Sequence, residues 1–184
     1  MARKITKHLS NERAFTLIEV IVSLVLAGIM AAVVGLGLVK ITQSYIFAKQ
    51  NSETVQKAQI AMTRIVKELG AAEPQSGTAT AITAAGTTSI TYTRREPIGS
   101  STFISNTISI SGGYAYLNLN QTGNGALINN VVTGSFLFAY FDSAGNALNP
   151  PVAVARIRRI DVTINMTGGG NQTFTNSVWI NESY

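Results

Sequence analysis

Few side chains in this sequence are of types that could do chemistry, and their spacing favours little of it. The 184 residues contain no cysteine and one histidine, His8. Without cysteine there is no thiol nucleophile, disulfide or cysteine-bound zinc or iron–sulfur site. We find no catalytic constellation, so we predict a non-enzymatic protein without a cofactor.

Asp142 is the only candidate metal ligand that we single out. Together with Ser143 and Asn146 it could offer oxygen atoms to Ca²⁺, but calcium prefers more carboxylates close together. The segment DSAGN also consists of residues typical of turns. We therefore predict a hydrogen-bonded β-turn here and keep calcium only as the alternative.

The basic residues do not indicate a nucleic-acid site. The formal net charge is +5, and four of the cations lie within residues 1–14. Arg156, Arg158 and Arg159 form a second cluster that lacks interleaved aromatic residues. We expect a solvated edge or a salt bridge to a neighbouring subunit there, with nucleic acid as the alternative partner.

Residues 15–39 form a long apolar run. Val20–Val39 contains no charged residue, and as a helix its twenty residues span about 30 Å, the thickness of a bilayer's hydrocarbon core. The rival interpretation is a cleaved secretory signal, whose apolar region usually covers only about 7–15 residues. The preceding basic residues predict a cytoplasmic N-terminus, with the rest of the chain outside the inner membrane.

Glu19 is the exception within this run. A carboxylate inside a membrane helix costs about 2.5–3.5 kcal/mol and is usually retained because it has a partner. The alternative is that Glu19 lies near the interface and reaches the lipid headgroups.

The residues around Glu19 resemble a known motif. Residues 13–20 read RAFTLIEV, preceded by a short basic segment and followed by about twenty apolar residues. This pattern is similar to the cleavage and methylation motif of type IV prepilins, over residues 7–40. The chain has Ala14 where that family usually has glycine before the cut.

The resemblance implies how the N-terminus is processed. A prepilin peptidase would cut between Ala14 and Phe15, which removes the leader (residues 1–14, including His8). It would then methylate the new Phe15 amine. Glu19 would then pair with the Phe15 amine of a neighbouring subunit during assembly. The implied partners are other pilin or pseudopilin subunits, the prepilin peptidase, an inner-membrane assembly platform and the lipid bilayer.

Beyond the apolar run, helical periodicity continues over residues 40–73. Apolar or small residues recur in steps of three and four, no proline interrupts them, and Gly70 and Pro74 favour termination. We predict one helix whose first half is apolar all round and whose second half is amphipathic. The buried face is expected to comprise Ile41, Tyr45, Ala48, Ser52, Val55, Ala58, Met62, Ile65 and Leu69.

Residues 74–184 are predicted to form a β-rich head. Residues 75–88 are small and polar, which predicts a loop. Alternation of period two then predicts strands, with hairpin turns at Gly112-Gly113 and Gly168–Gly170. The predicted strands are Ser89–Arg94, Thr102–Ser111, Tyr114–Asn120, Ser135–Phe141, Arg156–Met166 and Thr173–Ile180. An antiparallel sheet packed on the amphipathic half-helix makes this an α+β protein.

The predicted function is that of a structural subunit of a type IV pilus or a type II secretion-like filament. Residues 131–166 are similar to minor pilins and J-type minor pseudopilins, which favours a minor subunit. Major pilin, secretion pseudopilin and DNA-uptake pseudopilin remain alternatives within the family. Outside it, the alternative is a single-pass membrane-anchored surface or sensor domain that never assembles.

Overall fold

The computed structural model describes residues 15–97, 99–120, 123–134 and 137–180. The predicted leader with His8 and Ala14 lies outside the described residues. The chain divides into two units, Met1–Ile46 and Phe47–Tyr184.

One helix, α1, runs from Leu17 to Gly70 over 54 residues. Its ends match the local chemistry, since Glu19 lies in the first turn and Lys67 in the last, each favourable for the helix dipole. Every residue from Phe15 to Ile46 is exposed, because this segment is apolar all round and has no face covered by its own chain.

In the second unit α1 buries one face. The buried residues recur in steps of three and four, as one face of a helix requires; they are Thr54, Ala58, Ala61, Met62, Ile65, Glu68 and Leu69. The prediction is confirmed at Ala58, Met62, Ile65 and Leu69. It is wrong for Ile41, Tyr45, Ala48 and Ser52, which are exposed, while Val55 is half-buried.

In the part of the chain that the structure describes, nine strands follow α1, in two antiparallel sheets. They are β1 (Ile82–Ala85), β2 (Ser89–Arg95), β3 (Phe103–Ser111), β4 (Tyr114–Asn118), β5 (Asn124–Ile128), β6 (Leu137–Phe141), β7 (Ala147–Leu148), β8 (Arg159–Met166) and β9 (Gln172–Trp179). Sheet A has the order β1-β2-β3-β4-β5, and sheet B has the order β7-β6-β8-β9. The α+β fold class, with one long N-terminal helix packed on antiparallel sheets, is confirmed.

Both sheets contribute to one core with the second half of α1. Ile65 from the helix, Ile90 from sheet A and Ile160 from sheet B belong to the same cluster of buried side chains. The Tyr140 hydroxyl of β6 donates to the Gly86 carbonyl at 2.7 Å and links the two sheets. The single predicted sheet is therefore split, and the chain turns between the sheets through Asn130 and Gly134, which both have positive φ angles.

The sequence prediction missed three strands. β1 lies within the predicted loop 75–88, and neither β5 nor β7 was predicted. The predicted strand at Arg156–Met166 begins only at Arg159, because Val154–Arg156 form a 3₁₀ turn. All three missed strands lie at sheet edges, where short strands are stabilised by a neighbour rather than by their own alternation.

The β8–β9 hairpin is confirmed, and its glycines pack closely against α1. A Cβ atom on Gly169 would lie 2.6 Å from the Asn51 Cα atom, and one on Gly168 would lie 2.6 Å from the Thr54 Oγ1 atom. The Gln172 amide also donates to the Asn51 side chain. Only glycine leaves room for this approach, so the glycine run serves packing against the helix.

Candidate functional site

The N-terminal end of α1 is organised around Thr16. Phe15 and Thr16 precede the helix, and the Thr16 carbonyl accepts hydrogen bonds from the Glu19 and Val20 amides at 3.0 and 3.3 Å. Threonine is a favoured residue at this position because its own oxygen also accepts from a free helix amide, here that of Glu19 at 3.4 Å. Phe15 is thus left outside the hydrogen-bonded helix, one turn before Glu19.

The surface of this segment is apolar on all sides. The helix is long and apolar enough to cross a membrane, and the most apolar stretch is wholly uncovered by the rest of the protein. Ser23 and Thr42 satisfy their hydroxyls internally, by donating to the Glu19 and Leu38 carbonyls at 2.7 and 2.9 Å. Such a surface requires lipid or other helices around it, because exposed apolar patches of this size are rare in soluble monomers.

Glu19 carries the only charge between Phe15 and Val39. Within the residues that the structure describes, its carboxylate makes neither an ion pair nor a hydrogen bond. Within a membrane helix such a carboxylate is costly unless a positive partner or the polar interface is within its reach.

A comparison with protein families agrees with this arrangement. Residues 9–35 match the family model for the prokaryotic N-terminal methylation motif. This segment is therefore similar to the N-terminus of type IV pilin-like prepilins. No curated protein matches the chain. The motif covers Phe15, Glu19 and most of the apolar run, and it makes other pilin subunits and a prepilin peptidase the kinds of partner to expect.

Asp142, the candidate for which calcium was kept as the alternative, is used within a turn. One carboxylate oxygen accepts from the Ala144 and Asn146 amides at 3.0 and 2.9 Å, and the other accepts from the Asn146 side chain at 3.2 Å. The second oxygen also pairs with Arg156 at 3.3 Å. The hydrogen bonds from Asn146, with smaller contributions from Ala144 and Arg156, lower the pKa of Asp142. The predicted β-turn is confirmed, and no group of three acidic or histidine ligands occurs in the described part of the chain.

The predicted arginine cluster is largely occupied within the chain. Arg159 lies over the Phe141 ring, 4.0 Å from its centre, and pairs with Asp161 at 3.1 Å. Arg158 donates to the Ala155 and Ile157 carbonyls. Arg159 thus has partners within its own chain, because β6 and β8 bring them alongside it. The expected solvated edge or salt bridge to a neighbouring subunit stays a prediction.

A buried ionic cluster surrounds Glu68 and was not predicted from the sequence. The Glu68 side chain is 4% exposed and forms an ion pair with Arg64 Nε at 3.1 Å. It accepts hydrogen bonds from Arg94 Nη1 at 2.9 Å and from the Tyr92 hydroxyl at 3.1 Å. Arg94 also pairs with Glu96. Burial, and next the Glu68 charge, raise the pKa of Tyr92. A weak signal was available, since Glu68 lies three residues after Ile65 and so on the buried face.

Proposed function

We propose that this protein is a structural subunit of a type IV pilin-like filament. It would be inserted in the inner membrane as a precursor with its N-terminus in the cytoplasm. A prepilin peptidase would cleave it after Ala14 and methylate Phe15, and the N-terminal helix would then enter a filament. The protein's own contribution is structural, as a minor subunit at the tip or at initiation.

The exposed apolar helix with Glu19 supports this proposal. The same apolar surface suits both environments of this helix. The precursor is surrounded by lipid, and the mature subunit is surrounded by a bundle of identical or related helices. In either environment an unpaired Glu19 costs about 2.5–3.5 kcal/mol. A neighbouring subunit's Phe15 amine is equally unfavourable when buried alone, so pairing removes both penalties.

Pairing of Glu19 with the Phe15 amine would also select the axial position of a subunit. A helix that slides by one turn, about 5.4 Å, separates the two charges and restores both penalties. The register with the pair matched is therefore favoured over its neighbours. Cleavage is a prerequisite, because Phe15 has no free amine in the precursor.

Processing is tested by mass spectrometry of the N-terminal peptide from cells that contain prepilin peptidase. We expect a mature chain that starts at Phe15 with one added methyl group. An Ala14→Gly variant should be cut at least as efficiently, and a bulky Ala14→Leu variant should accumulate as precursor. A protein that retains residues 1–14 in these cells would instead support a permanently anchored surface or sensor domain.

The role of Glu19 is tested by incorporation into filaments. We expect Glu19→Ala to be inserted and cleaved but to lose most of its incorporation, because the Phe15 amine then has no partner. Glu53→Ala is the matched control, since Glu53 lies on the exposed surface of the same helix and pairs with Lys49. Normal incorporation of Glu19→Ala would contradict the proposed pairing.

A further inference from the structure

An exposed isoleucine on the second half of α1 lies between two cations that have no carboxylate partner among the described residues. We call this surface the Ile60 face; it consists of Lys57, Ile60, Thr63, Arg64 and Lys67 of α1 with Tyr114 of β4. Ile60 is 70% exposed. It lines two shallow grooves, one of about 370 Å³ with Lys57 and Tyr114, and one of about 360 Å³ with Thr63, Arg64 and Lys67.

The charge balance around the Ile60 face is uneven. Each carboxylate described from Phe47 to Ile180 has a cation within 4 Å: Glu53 with Lys49, Glu68 with Arg64 and Arg94, Glu73 with Arg95, Glu96 with Arg94, Asp142 with Arg156, and Asp161 with Arg159. Lys57 and Lys67 have no such partner in this part of the chain. The two unpaired lysines therefore lie at the two ends of the face that presents Ile60.

This imbalance argues against a second copy as the occupant of the face. A copy of the described unit brings no unpaired carboxylate, so docking it on Lys57 and Lys67 would place cations near cations or break an existing pair. An exposed isoleucine alone is ordinary. Ile60, however, lies between two grooves and between Lys57 and Lys67. This arrangement is complementary to a partner that presents one apolar side chain with carboxylates on both sides of it.

We propose that the Ile60 face docks a different, acidic protein subunit. An apolar side chain of that partner covers Ile60 in the grooves, while its carboxylates pair with Lys57 and Lys67. The inference rests on the proposed filament function and adds to it a heterotypic contact through the head. A subunit that polymerises only with itself would not make this contact.

The test is photo-crosslinking in cells with the full chain. The photoreactive amino acid p-benzoylphenylalanine replaces Ile60, an exposed position where substitution leaves the core intact, and the cross-linked product is identified by mass spectrometry. We expect a light-dependent product with another pilin-like protein, linked through a segment that contains Asp or Glu. Lys57→Glu with Lys67→Glu should reduce its yield at least about tenfold, because like charges then face each other. Lys49→Glu is the control on the same helix and should leave the yield unchanged.

Other results would overturn the inference. A cross-link to a second copy of the chain would show a homotypic contact. A cross-link to nucleic acid or lipid would show that Lys57 and Lys67 bind phosphate groups instead of carboxylates. The absence of any product would show that the face is uncovered. The same samples report cleavage at Phe15, so a missing product with normal cleavage and filaments refutes only the docking proposal. A missing product together with an uncleaved chain refutes the proposed function as well.

Discussion

Replacing Glu68 by alanine tests whether the buried ionic cluster holds α1 on sheet A. The change removes the acceptor of the Tyr92 hydroxyl, which is completely buried, and one of the two carboxylates that face Arg94. An unsatisfied buried hydroxyl costs about 1–3 kcal/mol. Removing one partner of a buried ion pair costs about 3–5 kcal/mol in total.

The surroundings determine where in this range the value falls. Arg64 is 47% exposed and remains hydrated when it loses Glu68, whereas Arg94 is only 21% exposed. Arg94 keeps Glu96 as a partner, so part of its charge stays compensated. We therefore expect Glu68→Ala to lower the free energy of unfolding by about 3 kcal/mol, the lower end of the range. Glu68→Gln, which preserves volume and an acceptor for Tyr92, should lose roughly half as much.

The assay is urea unfolding of the full chain in detergent, followed by the fluorescence of Trp179, the only tryptophan. Glu53→Ala is the control, since its exposed pair with Lys49 should contribute less than about 0.5 kcal/mol. A double-mutant cycle of Glu68→Ala and Arg94→Ala isolates their coupling. If Glu68→Ala were no more destabilising than Glu53→Ala, this cluster would not be what holds α1 on sheet A.

Three further predictions concern the head. Gly169→Ala should have a free energy of unfolding about 1–3 kcal/mol lower than that of Gly170→Ala. Both glycines have positive φ angles, but only a Cβ on Gly169 would meet the Asn51 backbone. Equal urea midpoints of the two variants would contradict this close packing. Above about pH 10, unfolding free energy should fall with rising pH, since burial raises the pKa of Tyr92 and the folded state keeps its proton longer than the unfolded chain. In the Tyr92→Phe variant, the free energy of unfolding should fall less steeply with rising pH. An identical slope in the variant and the unmodified protein would show that Tyr92 is not the cause. The pKa of the Asp142 carboxyl, measured by NMR titration, should lie below the ordinary Asp value of about 3.9. The stabilisation of its turn should then be lost as the pH falls through this lowered pKa. A pKa at or above the ordinary value would contradict the hydrogen bonds from Asn146.

The elements that could be predicted from sequence are those whose signal lies within a single segment. The alternation of Ile160, Val162 and Ile164 identified β8, because one face of a strand must be apolar to reach the core. β1 and β5 carry no such pattern. Gly125 in β5 illustrates why, since a Cβ there would lie 3.2 Å from the Leu117 carbonyl, so close approach to β4 selected glycine rather than a β-former.

The sequence alone determined the membrane-length helix and the processing motif. Both depend on residues that are neighbours along the chain, and neither requires knowledge of which strands pair. The tertiary structure decided which charges are neutralised. Glu68 meets Tyr92 and Arg94 only because β2 lies against α1, and Asp142 meets Arg156 only because the chain returns after β7. Ionic interactions act across space over a few ångströms. Only the folded protein could therefore show that Lys57 and Lys67 of the Ile60 face have no carboxylate partner among the described residues.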